Sequence, residues 1–309
     1  MKIVSVINYK GGVGKTTVTS NIAGELARRG KKVLILDMDA QASLTFSFIS
    51  PDAWNQHLKD TMTIKNYFDN ISQGNPPINL NNLIVAPQAV NSYISNYGSN
   101  GCIHLISSHL GLINVDLELA TLLGGANLNQ AKQNYIKVHG RLRKSIKECA
   151  SSIYDIVLID CPPNFNIVTK NALIASDEIL IPAKPDYLST LGIDYLHRSV
   201  NQLVREYNEF ASMDPNIPQS NPVHLGVVFT MIQLYSGVPI ASQQQYITQT
   251  RRLSIPTFES YFRENKSIFA SAPQEGIPVA LQYYSNGTHS AVVDEISNFV
   301  NEFVSRSGI

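Results

Sequence analysis

The spacing of apolar and polar positions changes repeatedly along the chain, and each change predicts an element. Residues 3–8 form a short apolar run that opens directly into the glycine-bearing stretch Tyr9–Thr17. Behind it, Val18, Ile22 and Leu26 recur at every fourth residue, Glu25 and Arg29 form an i,i+4 pair, and Gly30 stands where a helix C-cap is expected. The order is strand, loop, helix. Val33–Leu36 is an unbroken apolar run ending at Asp37-Met38-Asp39, and Ile156–Ile159 is another, ending at Asp160-Cys161-Pro162-Pro163. Uninterrupted apolar strands belong to parallel sheets covered on both faces. Further strands are predicted at Ile103–Ser107, Glu178–Ile181 and Leu225–Phe229. A basic helix is expected near 129–149, and an amphipathic one is predicted from the stripe Ile193, Leu196, Val200, Leu203 and Tyr207. Residues 49–101 are rich in Asn, Ser, Pro and Gly and read as an irregular insertion with short helices. No repeat or linker divides the chain, so the pattern predicts one α/β domain over 1–309, a mostly parallel sheet with helices on both faces.

Composition narrows the class. Of 309 residues, 44% are apolar and 16% charged, which supports a sizeable core and excludes a largely disordered chain. The longest apolar runs are strand-sized, far short of the roughly 20 residues a membrane helix needs. The glycine-bearing stretch begins too early to leave room for a signal peptide, so a cytoplasmic location is expected. The three cysteines, Cys102, Cys149 and Cys161, show no CxxC spacing and suggest neither a disulfide framework nor a zinc site. Basic and acidic residues balance at 24 each. The halves differ: residues 1–176 carry 16 basic and 11 acidic side chains, residues 177–309 carry 8 and 13. Any anion-binding surface must therefore be a local patch.

The chemistry concentrates in three short motifs. Lys10-Gly11-Gly12-Val13-Gly14-Lys15-Thr16-Thr17 matches the phosphate-loop pattern except that Lys10 stands where the first glycine is usual. Glycines at 11, 12 and 14 let backbone N–H groups converge on a phosphate at a helix N-terminus. Lys15 supplies charge, and the Thr16 hydroxyl suits Mg²⁺. Asp39 follows a buried strand, where a carboxylate can orient an attacking water, whereas Asp37 is as readily a structural cap as a ligand.

These residues resemble the ParA/MinD class of deviant Walker A ATPases, most nearly the small Soj-like ParA partition proteins. Lys10 takes the place of that family's signature lysine, Asp37-Met-Asp39-Ala-Gln41 resembles its first switch, and Tyr154–Pro163 resembles its Walker B strand and second switch. The resemblance implies a P-loop NTPase-like fold, with ATP and Mg²⁺ as cofactors. It implies ATP contacts from residues 10–17, with Lys10, Lys15 and Asp39 in hydrolysis and Thr16, Asp39 and Asp160 at the metal, the carboxylates through water. Lys10 would reach the partner's phosphates in an ATP-bound homodimer. Thr230, Met231 and Arg263 are candidates for the base, although Phe262 stands where the family has proline.

The same resemblance implies slow intrinsic turnover, nonspecific DNA binding by the dimer, nucleoid association, and a ParB-like or other small adaptor that stimulates hydrolysis. Because the phosphate loop begins so early, no N-terminal helix-turn-helix is expected. Two basic patches compete for DNA: Lys132, Lys137, Arg141, Arg143, Lys144 and Lys147 on the helix near 129–149, and Arg198, Arg205, Arg251, Arg252 and Lys266. The second set is favoured, because the first reads as a solvated face and the resemblance puts DNA contacts later in the chain. A MinD-like membrane-surface protein is the alternative. The C-terminal stripe Val292, Ile296, Phe299 and Phe303 lies among Asp294, Glu295 and Glu302, which predicts packing against the core and no stable membrane anchor. An iron–sulfur reductase lacks cysteine context, and a tyrosine kinase would need more than Tyr283-Tyr284.

Overall fold

The computed structural model describes residues 1–76 and 78–309; Pro77, inside the predicted insertion, lies outside them. The strands are β1 (Lys2–Val6), β2 (Lys32–Asp37), β3 (Cys102–Ile106), β4 (Ile156–Asp160), β5 (Glu178–Ala183) and β6 (Val223–Ile232). A small hairpin follows, β7 (Leu234–Tyr235) with β8 (Val238–Pro239), and then β9 (Thr257–Arg263). Seven of them form one sheet in the order β3-β2-β4-β1-β5-β6-β9, every pairing parallel. The helices in the first half are α1 (Lys15–Arg28), α2 (Ser43–Phe46), α3 (Pro51–His57), α4 (Ile64–Ser72), α5 (Gln88–Asn96) and α6 (Leu112–Leu122). Those in the second half are α7 (Leu128–Ala150), α8 (Ile167–Ala175), α9 (Tyr187–Ala211), α10 (Ala241–Arg251), α11 (Lys266–Glu275) and α12 (Gly287–Ser307).

The two-residue period of the strands divides the core. On one face Ile3, Leu34, Leu36, Val157 and Ile159 pack beneath α4, α6, α7, α8 and α9. On the other, Val4, Val6, Val33, Ile35, Ile156 and Leu158 meet α1, α5, α11 and α12. This is why β2 and β4 read as unbroken apolar runs: both sides of each strand are buried. Within residues 49–101, α4 buries Ile64, Tyr67, Phe68 and Ile71, an i, i+3, i+4, i+7 stripe that joins the first cluster. The stripe Val292, Ile296, Phe299 and Phe303 of α12 is buried in the second. Among the described residues no helix is long and apolar enough to cross a membrane.

At both sheet edges some of the outward polar groups are engaged. At β3, Val85 exchanges backbone hydrogen bonds with Leu105 at 2.9 and 2.8 Å. At β9, the Glu302 carboxylate of α12 accepts from the amides of Glu259 and Ser260, each at 3.0 Å, and Arg306 donates to the Thr257 carbonyl at 2.7 Å.

Candidate active site

Register brings the three motifs together. β1 lies beside β4, with Val6 opposite Asp160, and β2 lies on the other side of β4, with Asp37 opposite Asp160. The loop after β1 and the acids ending β2 and β4 thus share the C-terminal edge of the sheet, the edge where α/β proteins bind ligands.

The loop is held open by specific ties. Gly12 and Gly14 have φ of +70° and +81°, which side chains resist, and Gly14 is the N-cap of α1. Asn8 donates to the Pro182 carbonyl at 2.8 Å and accepts from the Lys10 amide at 2.9 Å. Thr230 donates to the Val13 carbonyl at 2.8 Å, tying the loop to β6. A Cβ on Gly11 or Gly12 would meet nothing within 4 Å, so open space borders the loop there.

Lys15 is buried within reach of this space and donates to the Lys10 carbonyl at 3.3 Å. Burial lowers its pKa, opposed by the charges of Asp160 and Asp39. The Thr16 hydroxyl donates to Asp160 at 2.7 Å. Burial raises the pKa of Asp160 against that hydrogen bond, and raises that of Asp37, with Asp160 adding repulsion. Among the described residues no cluster of three His, Cys, Asp or Glu side chains could cage a metal. A hydroxyl beside one carboxylate fits Mg²⁺ instead, a cation that keeps waters and takes further oxygens from a nucleotide's phosphates.

Asp37 proves to be a clasp. It is fully buried and accepts from the Asp39 amide at 3.1 Å and from both the amide and the hydroxyl of Thr45 at 2.7 Å, fastening α2 to β2. Asp39 is half-buried and lines a cavity of about 250 Å³ with Gln41, Pro162, Pro163 and Asn164. Its carboxylate accepts from the Gln41 amide at 3.0 Å through one oxygen, and the other has no hydrogen bond among the described residues.

Two partners were invisible in the motifs. Lys10 is ion-paired with Asp186 at 2.7 Å, and Asp186 also caps α9 by accepting from the Ser189 amide. Only that Asp-x-x-Ser capping pattern was readable. Arg263 is bound to Glu295 of α12 at 2.5 Å, and it lines a cavity of about 370 Å³ together with Gly14, Thr17, Thr230, Met231 and Phe262. The candidate base contacts therefore do converge beside the loop. The favoured DNA residues are spread over three helices. Arg198 and Arg205 are exposed on α9, Arg251 and Arg252 close α10, and Lys266 opens α11. Arg198 pairs with Asp194, Arg251 with Glu259 and Lys266 with Glu264. Arg205 and Arg252 have no ion pair among the described residues.

The AAA domain family AAA_31 matches residues 1–213. The chain belongs to that family. Within AAA_31 it is of the ParA type, as its loop, both switches and its relatives agree. Soj of Bacillus subtilis, a sporulation initiation inhibitor protein, is 26% identical over 289 residues, 91% of this chain and 90% of Soj. A putative replication protein A of Rhizobium rhizogenes is 29% identical over 206 residues, 67% of this chain but 46% of that protein, so the match spans less than half of that relative. The solved apo McdA of Cyanothece shares the fold, with a TM-score of 0.70 at 18% identity over 98% of both chains. This AAA_31 chain is thus an ATPase by family, on a seven-stranded parallel sheet.

Proposed function

We propose that the chain is a positioning ATPase that forms a homodimer on binding Mg-ATP, binds DNA nonspecifically as that dimer, and is released when an adaptor stimulates hydrolysis. The observation that carries this reading is a phosphate loop bearing a second, half-exposed lysine, Lys10, beside a buried Lys15. One charge serves the chain's own nucleotide. The other, held by Asp186, can serve a partner's once that ion pair opens. The surface beside Lys10 supports dimerisation: Tyr187, Leu188, Leu191 and Tyr195 expose more than half their area on the first turns of α9, and Tyr195 lies 5.4 Å from the ring of Tyr9. Exposed apolar groups so concentrated mark association.

In this reading residues 11–17 bind the phosphates, Thr16 and Asp160 hold the metal, and Asp39 orients the attacking water. Bound Mg²⁺ supplies charge neutralisation at the phosphates. Turnover is slow because Asp39 alone lacks the transition-state charge that groups supplied in trans contribute. Relatives named as chromosome-partitioning proteins in Treponema pallidum and Caulobacter vibrioides support the positioning role. DNA is met by Arg198, Arg205, Arg251, Arg252 and Lys266, weakly in the monomer and bivalently in the dimer. The protein is then cytoplasmic and nucleoid-associated, with a ParB-like or other small adaptor. A membrane-surface role draws no support from α12, whose apolar stripe is spent on the core.

The test is Asp39→Ala with Mg-ATP, followed by sedimentation. Nucleotide binding is expected to survive and a dimer to accumulate. A chain that stays monomeric under saturating ATP refutes the reading.

A further inference from the structure

The helix α7 carries a basic groove far from the phosphate loop. Lys137, Arg141 and Lys144 are spaced i, i+4, i+7 and so share a face, with Lys147 a turn beyond. The four span eleven residues of helix, about 15 Å from first to last. They border a cavity of about 530 Å³ between α7 and the segment after α9. Ile136, Ile217 and Pro218 form its apolar lining together with Tyr207. Gly140 shapes it, because a Cβ there would lie 2.6 Å from the Tyr207 hydroxyl.

Lys137, Arg141 and Lys147 have no ion pair among the described residues, and Lys144 has only a loose one to Glu148 at 3.8 Å, the single acid lining the cavity. Arg143 is different. It donates to the carbonyls of Ala175 and Ser176 and pairs with Asp177 at 2.7 Å, closing the end of α8 at the start of β5. That contact fixes the groove near the N-terminal edge of the sheet, opposite the edge that carries the phosphate loop.

We infer that this groove docks an acidic amphipathic helix of a partner protein. Charge complementarity selects an acidic occupant, since three of the four cations are uncompensated. The apolar lining selects a protein over DNA: a phosphate backbone offers nothing apolar to fill a cavity, whereas an apolar centre with a charged rim is the usual anatomy of a protein interface. The inference is independent of the nucleotide reading, and a partner seated here leaves the phosphate loop open.

The probe is a fluorescent peptide of about 14 residues, four helical turns, with Leu at i, i+3, i+4, i+7 and Glu elsewhere. A control peptide carries Lys in place of Glu. Anisotropy is expected to show binding of the acidic peptide only, weakened by added salt. Lys137→Glu/Arg141→Glu/Lys144→Glu is expected to reduce affinity at least about tenfold, and Ile217→Asp by a similar factor, with ATP turnover unchanged in both. Lys137 and Lys144 are exposed and Arg141 is partly exposed, so the test survives if Ile217→Asp fails to fold. Absence of binding, or equal affinity for wild type and the charge-reversed variant, overturns the inference. So does loss of duplex DNA binding in the charge-reversed variant with the peptide unaffected by Ile217→Asp, which would make the groove a phosphate-contacting surface.

Discussion

If Lys10 serves a partner's nucleotide, its ion pair with Asp186 competes with that role, and Asp186→Asn isolates the competition. Asparagine caps a helix as well as aspartate does, so the tie to the Ser189 amide persists and α9 keeps its start. Only the charge is removed. The pair is partly exposed, with 35% of the Lys10 side chain and 29% of the Asp186 side chain accessible. Burial pushes the Asp186 carboxyl up, but Lys10 and the Ser189 amide more than offset this and hold it below its ordinary range. A pair of this exposure contributes about 0.2–1 kcal/mol. Two protomers each give up one pair on dimerising, so removing both is worth about 0.4–2 kcal/mol, or about 2- to 30-fold in the dimer dissociation constant. Sedimentation equilibrium with Mg-ATP, in the hydrolysis-blocked Asp39→Ala background, reads that constant. Tighter dimerisation is expected, and the gain should vanish when Lys10→Ala is added. An unchanged constant, or a gain that persists without Lys10, refutes the reasoning.

Other predictions rest on single contacts. Lys15→Ala should weaken ATP binding by about 10- to 100-fold in calorimetry, the loss of one charged hydrogen-bond donor, and native affinity would disprove the loop assignment. Burial depresses the pKa of His139 to about 3, so its neutral form stabilises the fold fully above the unfolded value near 6.5, and that contribution is lost as pH falls below it. Between pH 6.5 and 5 the loss is about 2 kcal/mol. Urea midpoints at the two pH values should differ less in His139→Phe than in wild type, and an equal difference removes the argument. Arg205→Ala/Arg252→Ala should lower DNA affinity and flatten its salt dependence, because these two cations lack internal partners; an unchanged salt slope excludes them as phosphate contacts.

The sheet's middle was legible because burial on both faces leaves no polar position within Val33–Leu36 of β2 or Ile156–Ile159 of β4. The phosphate loop was legible because its chemistry is local, compressed into eight consecutive residues. β9 was not. Its sequence Thr257–Arg263 mixes Glu and Ser with aromatics because Glu302 and Arg306 occupy the positions a further strand would fill, and that compensation lies more than forty residues away. The role of Asp37 was equally open in sequence, since its answer depends on Thr45 folding back through α2. The stripe of α4 was present but masked by the Asn-rich stretch around it. Lys10 was recognised, yet its resting partner was not: Asp186 is 176 residues distant and is brought near by the pairing of β1 with β5.

The closed edges of the sheet bear on how this chain can assemble. With Leu105 of β3 paired to Val85 and three peptide groups of β9 taken by Glu302 and Arg306, another copy finds the row of peptide groups interrupted at both edges. Strand addition is the route by which copies stick for good. Under the proposed function, copies would then meet through side chains and bound nucleotide, contacts that come apart when the nucleotide is hydrolysed. The reversibility that the proposed function requires is thus served by Val85 at one edge and by two side chains of the last helix at the other.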